Sequence, residues 1–311
     1  MVRFILKRLL SMIPILLGTS IITFGMLHLV PVDPAEAYLR AANIPVSQSA
    51  IEAARIELGL NHPLHIQYLN WFNDVMHLDF GKSFISKKPV WDEMMMHFPA
   101  TLELTAAAIG WVLLFAVPIG ILSAIFKDSF FDQLSRLWAY AGVSMPNFWF
   151  GFLLIYYCSL QLHLFPAVGS GTWQHLVLPS FTLAFAQIAI SARLLRSNVL
   201  DQLNEPYVQY ARVRGIRGTS IVGKHVLKNA LIPVITSLGM SFGHLLAGSV
   251  ALENVFAWPG IGRYFVTAIF ARDYPVIQCY VMLMAAIFIL LNLFVDIVNA
   301  YLNPRLRVKG D

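Results

Sequence analysis

Long apolar blocks alternate with shorter polar segments along most of the chain. Six blocks of about 20 or more mostly uncharged residues are each long enough to cross a hydrocarbon layer about 30 Å thick. They lie at roughly 9–30, 100–126, 136–160, 176–195, 231–252 and 277–301. The third and fourth carry polar or helix-breaking interruptions at Pro146, Asn147, Gln187 and Ser191. Burial inside a bundle makes such residues tolerable. The pattern predicts an all-α integral membrane protein with about six transmembrane helices.

Composition agrees with this pattern. The 311 residues are 58% hydrophobic and 13% charged, whereas a soluble domain of this length has about 25% charged residues. The first block is too long for a signal peptide, and no small-x-small cleavage site follows it, so we interpret it as a retained helix. Cys158 and Cys279 fall inside predicted spans and belong to no paired motif, so neither a disulfide nor a thiolate metal site is predicted.

Basic residues cluster in the N-terminus, in the segment between the fourth and fifth blocks, and in the tail. The members of these clusters are Arg3, Lys7, Arg8, Arg193, Arg196, Arg212, Arg214, Arg217, Lys224, Lys228, Arg305, Arg307 and Lys309. Six spans place all three clusters on one side, which the positive-inside rule identifies as the cytoplasm. Both termini are therefore expected there. The net charge of +5 indicates contact with anionic lipid headgroups, not nucleic-acid binding.

The segment at 31–98 is polar and is predicted to lie outside the cytoplasm. Ser49 and Glu52 are spaced as the capping box of a short helix that ends at Gly59. The apolar side chains expected to pack this segment onto the bundle or the membrane are Leu64, Tyr68, Trp71, Phe72, Leu78 and Phe80. It is either a docking surface for an extracytoplasmic partner or a structural cap. We divide the chain here into an N-terminal part, 1–98, and a transmembrane core, 99–303.

A second outer segment follows the fifth block. Phe256 and Trp258 are amphipathic rings of the kind that lie at a membrane interface. Pro259 and Gly260 favour a turn after them. A short helix is predicted beyond the turn, with its apolar side chains at Tyr264, Phe265, Ile269 and Phe270.

The most informative stretch lies between the fourth and fifth blocks, at about 200–233. Asn204 is predicted to N-cap a short helix whose first turn holds Glu205 and Pro206, because a first turn favours an anionic side chain and a proline. Gly215 is predicted to end it. The loop therefore carries a small amphipathic helix outside the membrane.

A second helix is expected after it, capped by Thr219 or Ser220 and running over 221–229. A short helix of this kind is an object that another protein can bind in a groove, and the predicted contact face is Ala211 with Val208. The alternative is a helix that rests on lipid. The loop alone does not decide between these two interpretations.

The order of residues in this loop resembles a known family. Ala211-Arg-Val-Arg-Gly215, nine further residues, and then His225-Val-Leu-Lys-Asn-Ala-Leu-Ile-Pro233 resemble the cytoplasmic EAA-type loop of binding-protein-dependent ABC importer permeases. Gln209 stands where many members have Glu, and Val213 replaces an Ala. The Ala-basic-x-basic-Gly form is typical of the dipeptide/oligopeptide/nickel branch. Further landmarks of that branch are Asp33-Pro34, Leu78-Asp-Phe-Gly81, Pro99-Ala-Thr-Leu-Glu103, Met145-Pro-Asn-Phe-Trp149, Phe256-Ala-Trp-Pro-Gly-Ile-Gly262, Arg272-Asp-Tyr-Pro-Val-Ile-Gln278 and Asp296-Ile-Val-Asn-Ala-Tyr-Leu-Asn-Pro-Arg305.

The resemblance covers nearly the whole chain and implies a type I ABC importer permease bundle in a bacterial inner membrane. It implies a heterodimer with a paralogous permease, two ATP-binding subunits in the cytoplasm and an extracytoplasmic solute-binding protein. Closure of the ATPases would push the loop helix and open the pathway outward. The residues expected to couple to the ATPase are Asn204, Glu205, Tyr207, Ala211, Arg212, Arg214 and Gly215.

Several details within the branch are most similar to the nickel-transport permease. They are Asp33-Pro-Ala-Glu-Ala-Tyr-Leu-Arg40, Trp173-Gln-His175 and Ile269-Phe-Ala-Arg-Asp-Tyr-Pro-Val-Ile-Gln-Cys279. The expected cargo is nickel or a nickel chelate, and di- or oligopeptides are the alternative. We expect the translocation path to include Met145, Asn147, Met240 and His244, although methionines also fill gaps in bundles. No metal site is predicted, because no helix face carries a two-His or His-carboxylate spacing.

The motifs of catalysis are missing from the sequence. It has no P-loop glycine-lysine signature, no His-Glu-x-x-His and no Gly-x-Ser-x-Gly. We therefore expect no enzyme and no cofactor in this chain, with ATP bound by separate subunits. A secondary transporter is the alternative from a different class. It would need a relay of buried carboxylates, and the predicted spans offer little beyond Asp296.

Overall fold

The computed structural model describes residues 2–29 and 33–302. Arg305, Arg307 and Lys309, which contribute to the orientation argument, lie outside these ranges, as does the end of the Asp296–Arg305 landmark. Within the described ranges the chain is helical, and its one strand-like pairing is an isolated bridge between Lys82 and Pro89. The all-α prediction is confirmed.

Thirteen α-helices are described, and two π-helical segments, Ile155–Gln161 and Val222–Val226, follow α7 and α10. The helices are α1 (Val2–Leu29), α2 (Pro34–Ala41), α3 (Gln48–Glu57), α4 (Leu64–Met76), α5 (Val90–Ile125), α6 (Phe130–Ser144), α7 (Asn147–Leu154), α8 (Trp173–Leu203), α9 (Pro206–Val213), α10 (Gly218–Ile221), α11 (Leu227–Val255), α12 (Ile261–Ala271) and α13 (Tyr274–Leu302).

Five helical runs are long and apolar enough to cross a membrane: α1, α5, α8, the continuous run Gly218–Val255, and α13. A sixth span results if α6 and the run Asn147–Gln161 count as one, although they meet at an angle of 108°. The break has a local cause, since the residue before a proline is driven into extended backbone. Met145, before Pro146, has φ −94° and ψ 125°. The predicted number of spans is confirmed, and the third is sharply bent.

The polar residues of the fourth predicted span leave α8 unbroken. Gln187 donates from Nε2 to Ser191 Oγ one turn later at 3.2 Å, and both residues are buried. Each buried polar side chain therefore has a partner on its own helix. The expectation that burial makes these residues tolerable is confirmed.

The described chain divides into two compact units. One comprises the chain up to Thr101 together with Pro259–Leu293, and the other comprises Leu102–Trp258 together with the chain from Phe294 onward. The division at 98 and 99 made from the sequence concerned topology, and it stays a prediction.

In the first unit, α4 packs against α1 through aromatic side chains. Phe24 of α1 lies 5.5 Å from the Tyr68 ring and 5.7 Å from the Trp71 ring, measured between centroids. The hydroxyls of Ser20 and Tyr68 are hydrogen-bonded at 2.8 Å. The segment after α1 is thus held to the first spanning helix by the aromatic residues that the sequence singled out.

The short helix α3 begins two residues earlier than its capping box predicted. Ser47, not Ser49, is the N-cap, and its Oγ accepts from the Ala50 N–H at 3.2 Å. The Ser49 hydroxyl lies against Ser47 Oγ instead. Gly59 ends the helix as expected, with φ +67°, a conformation that costs glycine little.

Polar side chains of α12 and of the turn after it tie the first unit together. Ser83 Oγ donates to Asp273 Oδ2 at 2.6 Å, and Tyr264 Oη donates to Glu93 at 2.7 Å. Burial and the hydrogen bond to Glu93 raise the pKa of Tyr264, so the phenol stays protonated and remains a donor at physiological pH. The short helix predicted after the turn is confirmed as α12.

The second unit is built around α8, which packs against α6, α7 and α11. Phe256 and Trp258 are both buried, so the prediction that these rings lie at an interface is wrong. The chain folds back here, because the Trp258 N–H donates to the Glu253 carbonyl at 2.8 Å. The Phe256 ring then lies over Gly151 of α7, where an added Cβ would sit 3.2 Å from it.

A test of the packing between α5 and α8 compares two glycines of α5. A Cβ at Gly120 would lie 2.8 Å from the carbonyl oxygen of Ala192 and 2.9 Å from Leu195 Cβ, whereas one at Gly110 would meet nothing within 4 Å. Gly120→Ala is expected to lower the free energy of unfolding by about 1–3 kcal/mol, because the α8 backbone must shift. Gly110→Ala should be neutral or slightly stabilising, since alanine favours a helix by about 1 kcal/mol. Thermal unfolding in detergent measures both, and equal midpoints would contradict the close approach of α5 and α8.

Candidate functional site

The candidate site is α9, the short helix between α8 and the next span. The helix begins at Pro206, and Glu205 is its N-cap with φ −69° and ψ 146°. The prediction that Asn204 is the N-cap is wrong, because proline forces the residue before it into extended backbone. Asn204 instead ends α8, where its side-chain amide donates to the Leu200 carbonyl at 3.1 Å.

The end of α9 is a Schellman motif centred on Gly215. Gly215 has φ +74°. Its N–H donates to the Arg212 carbonyl at 2.9 Å, and the Ile216 N–H donates to the Ala211 carbonyl at 3.2 Å. The predicted glycine stop is confirmed.

Tyr207 ties α9 back to the preceding helix. Its hydroxyl donates to Gln202 Oε1 of α8 at 2.8 Å. Since α8 ends at Leu203 and α9 begins at Pro206, this bond spans the junction. A force applied to α9 therefore reaches α8 through both the backbone and this hydrogen bond.

The two faces of α9 are arranged opposite to the prediction. Val208 and Ala211 are 0% and 9% exposed, because the chain itself covers them. Tyr210 and Val213, three residues apart and therefore on one face, are 73% and 87% exposed. Ala211 and Val208 thus hold α9 onto its own chain, and the apolar side chains open to a partner are Tyr210 and Val213. We call these two residues the coupling face.

Basic residues lie close to the coupling face in the sequence. Arg212, Arg214 and Arg217 are all exposed. Two large apolar side chains with exposed arginines near them in the chain fit an apolar groove with an acidic rim. Arg212 and Arg214, which the sequence predicted to couple to the ATPase, are exposed. The sequence missed Tyr210 and Val213, because a helical period shows which residues share a face and not which face the rest of the chain covers.

The helix after α9 differs from its prediction. α10 begins at Gly218 with Arg217 as the N-cap, and neither Thr219 nor Ser220 caps it. It continues through the π-helical segment Val222–Val226 directly into α11. Pro233 lies inside α11 and does not end the helix. α10 and the next span are therefore one continuous helical run, which residues 214–217 separate from α9.

The four residues predicted for the translocation path lie on neighbouring helices of the second unit. Met145 and Asn147 are half-buried at the break between α6 and α7, and α7 packs against α11. Met240 and His244 are exposed on α11. They belong to one face, since the exposed positions recur at helical spacing at Pro233, Met240, His244, Ala247, Ala251 and Asn254. In residues 2–29 and 33–302 no three His, Cys, Asp or Glu side chains group around a common point.

An ion pair that the sequence did not identify joins α6 to α8. Arg196 donates from Nε to Asp132 Oδ1 at 2.6 Å and from Nη2 to Oδ2 at 2.7 Å. The Asp132 side chain is fully buried, and that of Arg196 is 17% exposed. In the sequence, Asp132 precedes the third predicted span and Arg196 follows the fourth, which places both on the same predicted side of the membrane. This shared side was the sign that they could pair. The pair fixes α6 against the helix that leads into α9.

Two family models match the chain. "Binding-protein-dependent transport system inner membrane component" matches residues 116–308, and the N-terminal model "Binding-prot-dependent transport system membrane comp, N-term" matches residues 1–105. Together they cover nearly the whole chain, including α9 and its neighbours.

Curated relatives and one solved structure agree with the family models. The chain is 42% identical over 309 residues to the glutathione transport system permease protein GsiC of Salmonella typhimurium, covering 99% of this chain and 100% of that protein. GsiC of Escherichia coli (strain K12) is 41% identical over the same lengths. The crystal structure of an amino acid ABC transporter with histidines matches with a TM-score of 0.50 at 19% identity, covering 69% of this chain and 94% of that one. That likeness confirms the type I importer permease fold.

Proposed function

The chain belongs to the family of binding-protein-dependent transport system inner membrane components, and we propose that it is the permease subunit of an ATP-driven importer of short peptides of the glutathione class. Membership of the family makes it a multi-pass inner-membrane permease and not itself the ATPase. The cargo, the partners and the orientation are parts of the proposal.

The observation that carries the proposal is the coupling face. Tyr210 and Val213 expose two large apolar side chains on a helix of eight residues, Pro206–Val213, which is far too short to span a membrane. Such exposure is unfavourable in water unless a partner or the lipid surface covers it. We infer that an ATP-binding subunit covers it, with Arg212 and Arg214 directed at its rim.

The proposed assembly pairs this chain with a paralogous permease, two ATP-binding subunits and an extracytoplasmic solute-binding protein. The basic residues around α9 favour a cytoplasmic loop, which places both termini in the cytoplasm and the segment between α1 and α5 outside. ATP is bound by the partner subunits, and this chain is proposed to hold no cofactor.

The proposed path runs along the exposed face of α11 that carries Met240 and His244. A face with a histidine, an asparagine and small alanines favours a water-filled pathway over lipid contact. Met145 and Asn147 border it at the α6–α7 break, where backbone groups freed from the helix are tolerated beside a cavity. The paralogous permease would supply the opposite wall.

Two cargoes are candidates. Glutathione-class peptides are favoured, because the relatives that match over the full length are glutathione transport permeases. Nickel or a nickel chelate is the second candidate, because three short segments resemble the nickel-transport permease. Those segments have local structural roles here: Asp33 caps α2 and pairs with Arg55, His175 is hydrogen-bonded to Thr172 at 2.7 Å, and Asp273 holds Ser83. Since the roles are structural, they carry little information about cargo.

Uptake by the full importer in proteoliposomes tests the proposal. We expect ATP-dependent accumulation of labelled glutathione that requires the solute-binding protein, and no accumulation of labelled nickel under the same conditions. Nickel uptake without glutathione uptake would establish the second cargo instead. Uptake that persists without ATP but is lost when the ion gradient is dissipated would indicate a secondary transporter. That result would overturn the assignment to ATP-driven importers.

A further inference from the structure

A basic cleft lies in the second unit between α5, α6 and α8. It is small, about 20 Å³, and partly open to the surface, and it lies beside the Asp132–Arg196 pair. Polar groups line one part of it, namely Ser123, Ser135, Arg136, Arg193 and Arg196. Apolar side chains line the remainder, namely Ile119, Trp138, Ala139, Ala189 and Ala192.

Positive charge in this cleft exceeds the negative charge beside it. Asp132 is the one carboxylate bonded here: it takes two hydrogen bonds from Arg196, and Arg136 lies 3.9 Å away. Arg193 has no carboxylate within ion-pair distance among the described residues. The exposed Asp128 acts on Arg196 from outside the lining, next to Lys127. Three guanidinium groups therefore face a single buried carboxylate, which leaves an excess able to bind an anion with several oxygens.

The shape of the polar part favours a fixed anion over a diffuse ionic atmosphere. The Asp132 pair holds the Arg196 guanidinium in place. Ser123 Oγ donates to Ser135 Oγ at 2.8 Å, and Ser135 Oγ donates to the Asp132 carbonyl at 2.9 Å. The serines are thus part of an ordered network, and Arg136 and Arg193 remain the side chains able to turn toward an added group.

The apolar part of the cleft favours a lipid over a free anion as its ligand. Trp138 forms one wall and is fixed edge-to-face against Phe185 at 5.3 Å between centroids. Ile119 of α5 lines the same cleft. A small phosphate ion would leave these two apolar groups uncovered, whereas a phospholipid places an acyl chain against them and its headgroup among the arginines.

We propose that this basic cleft binds the phosphate headgroup of an anionic phospholipid such as phosphatidylglycerol, with Arg136 and Arg193 as its mobile ligands and Arg196 as its fixed one. The proposal requires that the chain is inserted in a membrane, and it does not depend on the cargo. It adds a lipid site on α8, the helix that precedes α9.

Native mass spectrometry of the intact importer tests this, with phosphatidylglycerol, phosphatidylethanolamine or inorganic phosphate added in separate experiments. The variant is Arg136→Ala with Arg193→Ala, which leaves the Asp132–Arg196 pair and thus the fold in place. Lys224→Ala, an exposed cation outside the cleft, is the matched control. We expect one retained phosphatidylglycerol per complex in wild type and in the control, and at least fivefold lower occupancy in the double variant.

Three results would overturn the proposal. Equal retention of phosphatidylglycerol by wild type and the double variant would show that Arg136 and Arg193 do not bind the lipid. Displacement of the lipid by millimolar inorganic phosphate would make this a site for free anions. Cross-linking of a cysteine at position 193 to another subunit would show that a protein covers the cleft. Size-exclusion profiles of all variants verify that the complexes remain assembled.

Discussion

Replacement of both Tyr210 and Val213 by aspartate is expected to abolish ATP-driven uptake while the chain stays folded. Both side chains are mostly exposed in the isolated subunit, so a carboxylate there remains hydrated before assembly. In the complex each carboxylate would enter an apolar groove without a partner, which costs several kcal/mol. We expect uptake to fall by at least about a hundredfold, since each 1.4 kcal/mol corresponds to a factor of ten.

The measurements are uptake in proteoliposomes, co-purification of the ATP-binding subunit and the thermal unfolding midpoint of the permease. Thr219→Asp, on exposed α10 outside the coupling face, is the matched control and should retain uptake. Ala211→Asp is the comparison in which folding, and not the contact with the ATPase, should be affected. Because Ala211 is covered by the chain itself, a charge there should lower the unfolding midpoint.

The result that would contradict the coupling face is near-normal uptake and co-purification in the double aspartate variant. Loss of uptake together with loss of folding would assign the two residues a structural role instead. Loss of uptake and of co-purification, with the unfolding midpoint unchanged, would locate the defect at the contact with the ATPase.

Asp132→Ala is expected to lower the free energy of unfolding by about 3–5 kcal/mol, the cost of leaving a buried charge without its partner. Arg196 would lose both hydrogen bonds and would then face Arg136, another cation. Arg136→Ala is the control, since its contact with Asp132 is long and its side chain is 43% exposed. That variant should cost no more than about 1 kcal/mol.

A double-mutant cycle isolates the pair. Arg196→Ala alone leaves the Asp132 carboxylate buried with two weaker partners, the Asp128 N–H at 3.0 Å and Arg136 at 3.9 Å, so it should also destabilise the fold. The variant lacking both side chains should cost less than the two single costs added, by about 1.5–3 kcal/mol. Thermal or denaturant unfolding in detergent measures the cycle, and simple additivity would show that the pair contributes no coupling.

Features set by local chemistry were predictable from the sequence. Apolar length predicted the spans, and Gly59 and Gly215 marked helix ends because each adopts positive φ at the end of its helix. Pro146 marked a break in the third span. Its angle of 108° was not predictable, because helix packing sets the direction in which the chain resumes.

Features set by distant parts of the chain were not predictable in this way. Helical spacing grouped Val208 with Ala211, but the rest of the chain determines which face is covered. Asp132 and Arg196 are 64 positions apart, and many such pairs of charges exist in the sequence. Phe256 and Trp258 have the chemistry of interface residues, yet the fold-back at Glu253 buries them.

The continuous helix from Gly218 to Val255 has a mechanical consequence. Its 38 residues, at about 1.5 Å each, make a rod about 57 Å long. If such a rod tilts by about 5° around its midpoint, each tip sweeps about 2.5 Å, in opposite directions. A small push on the tip next to α9 therefore arrives at the far tip as a displacement comparable to an atomic diameter, without any relay of intermediate parts.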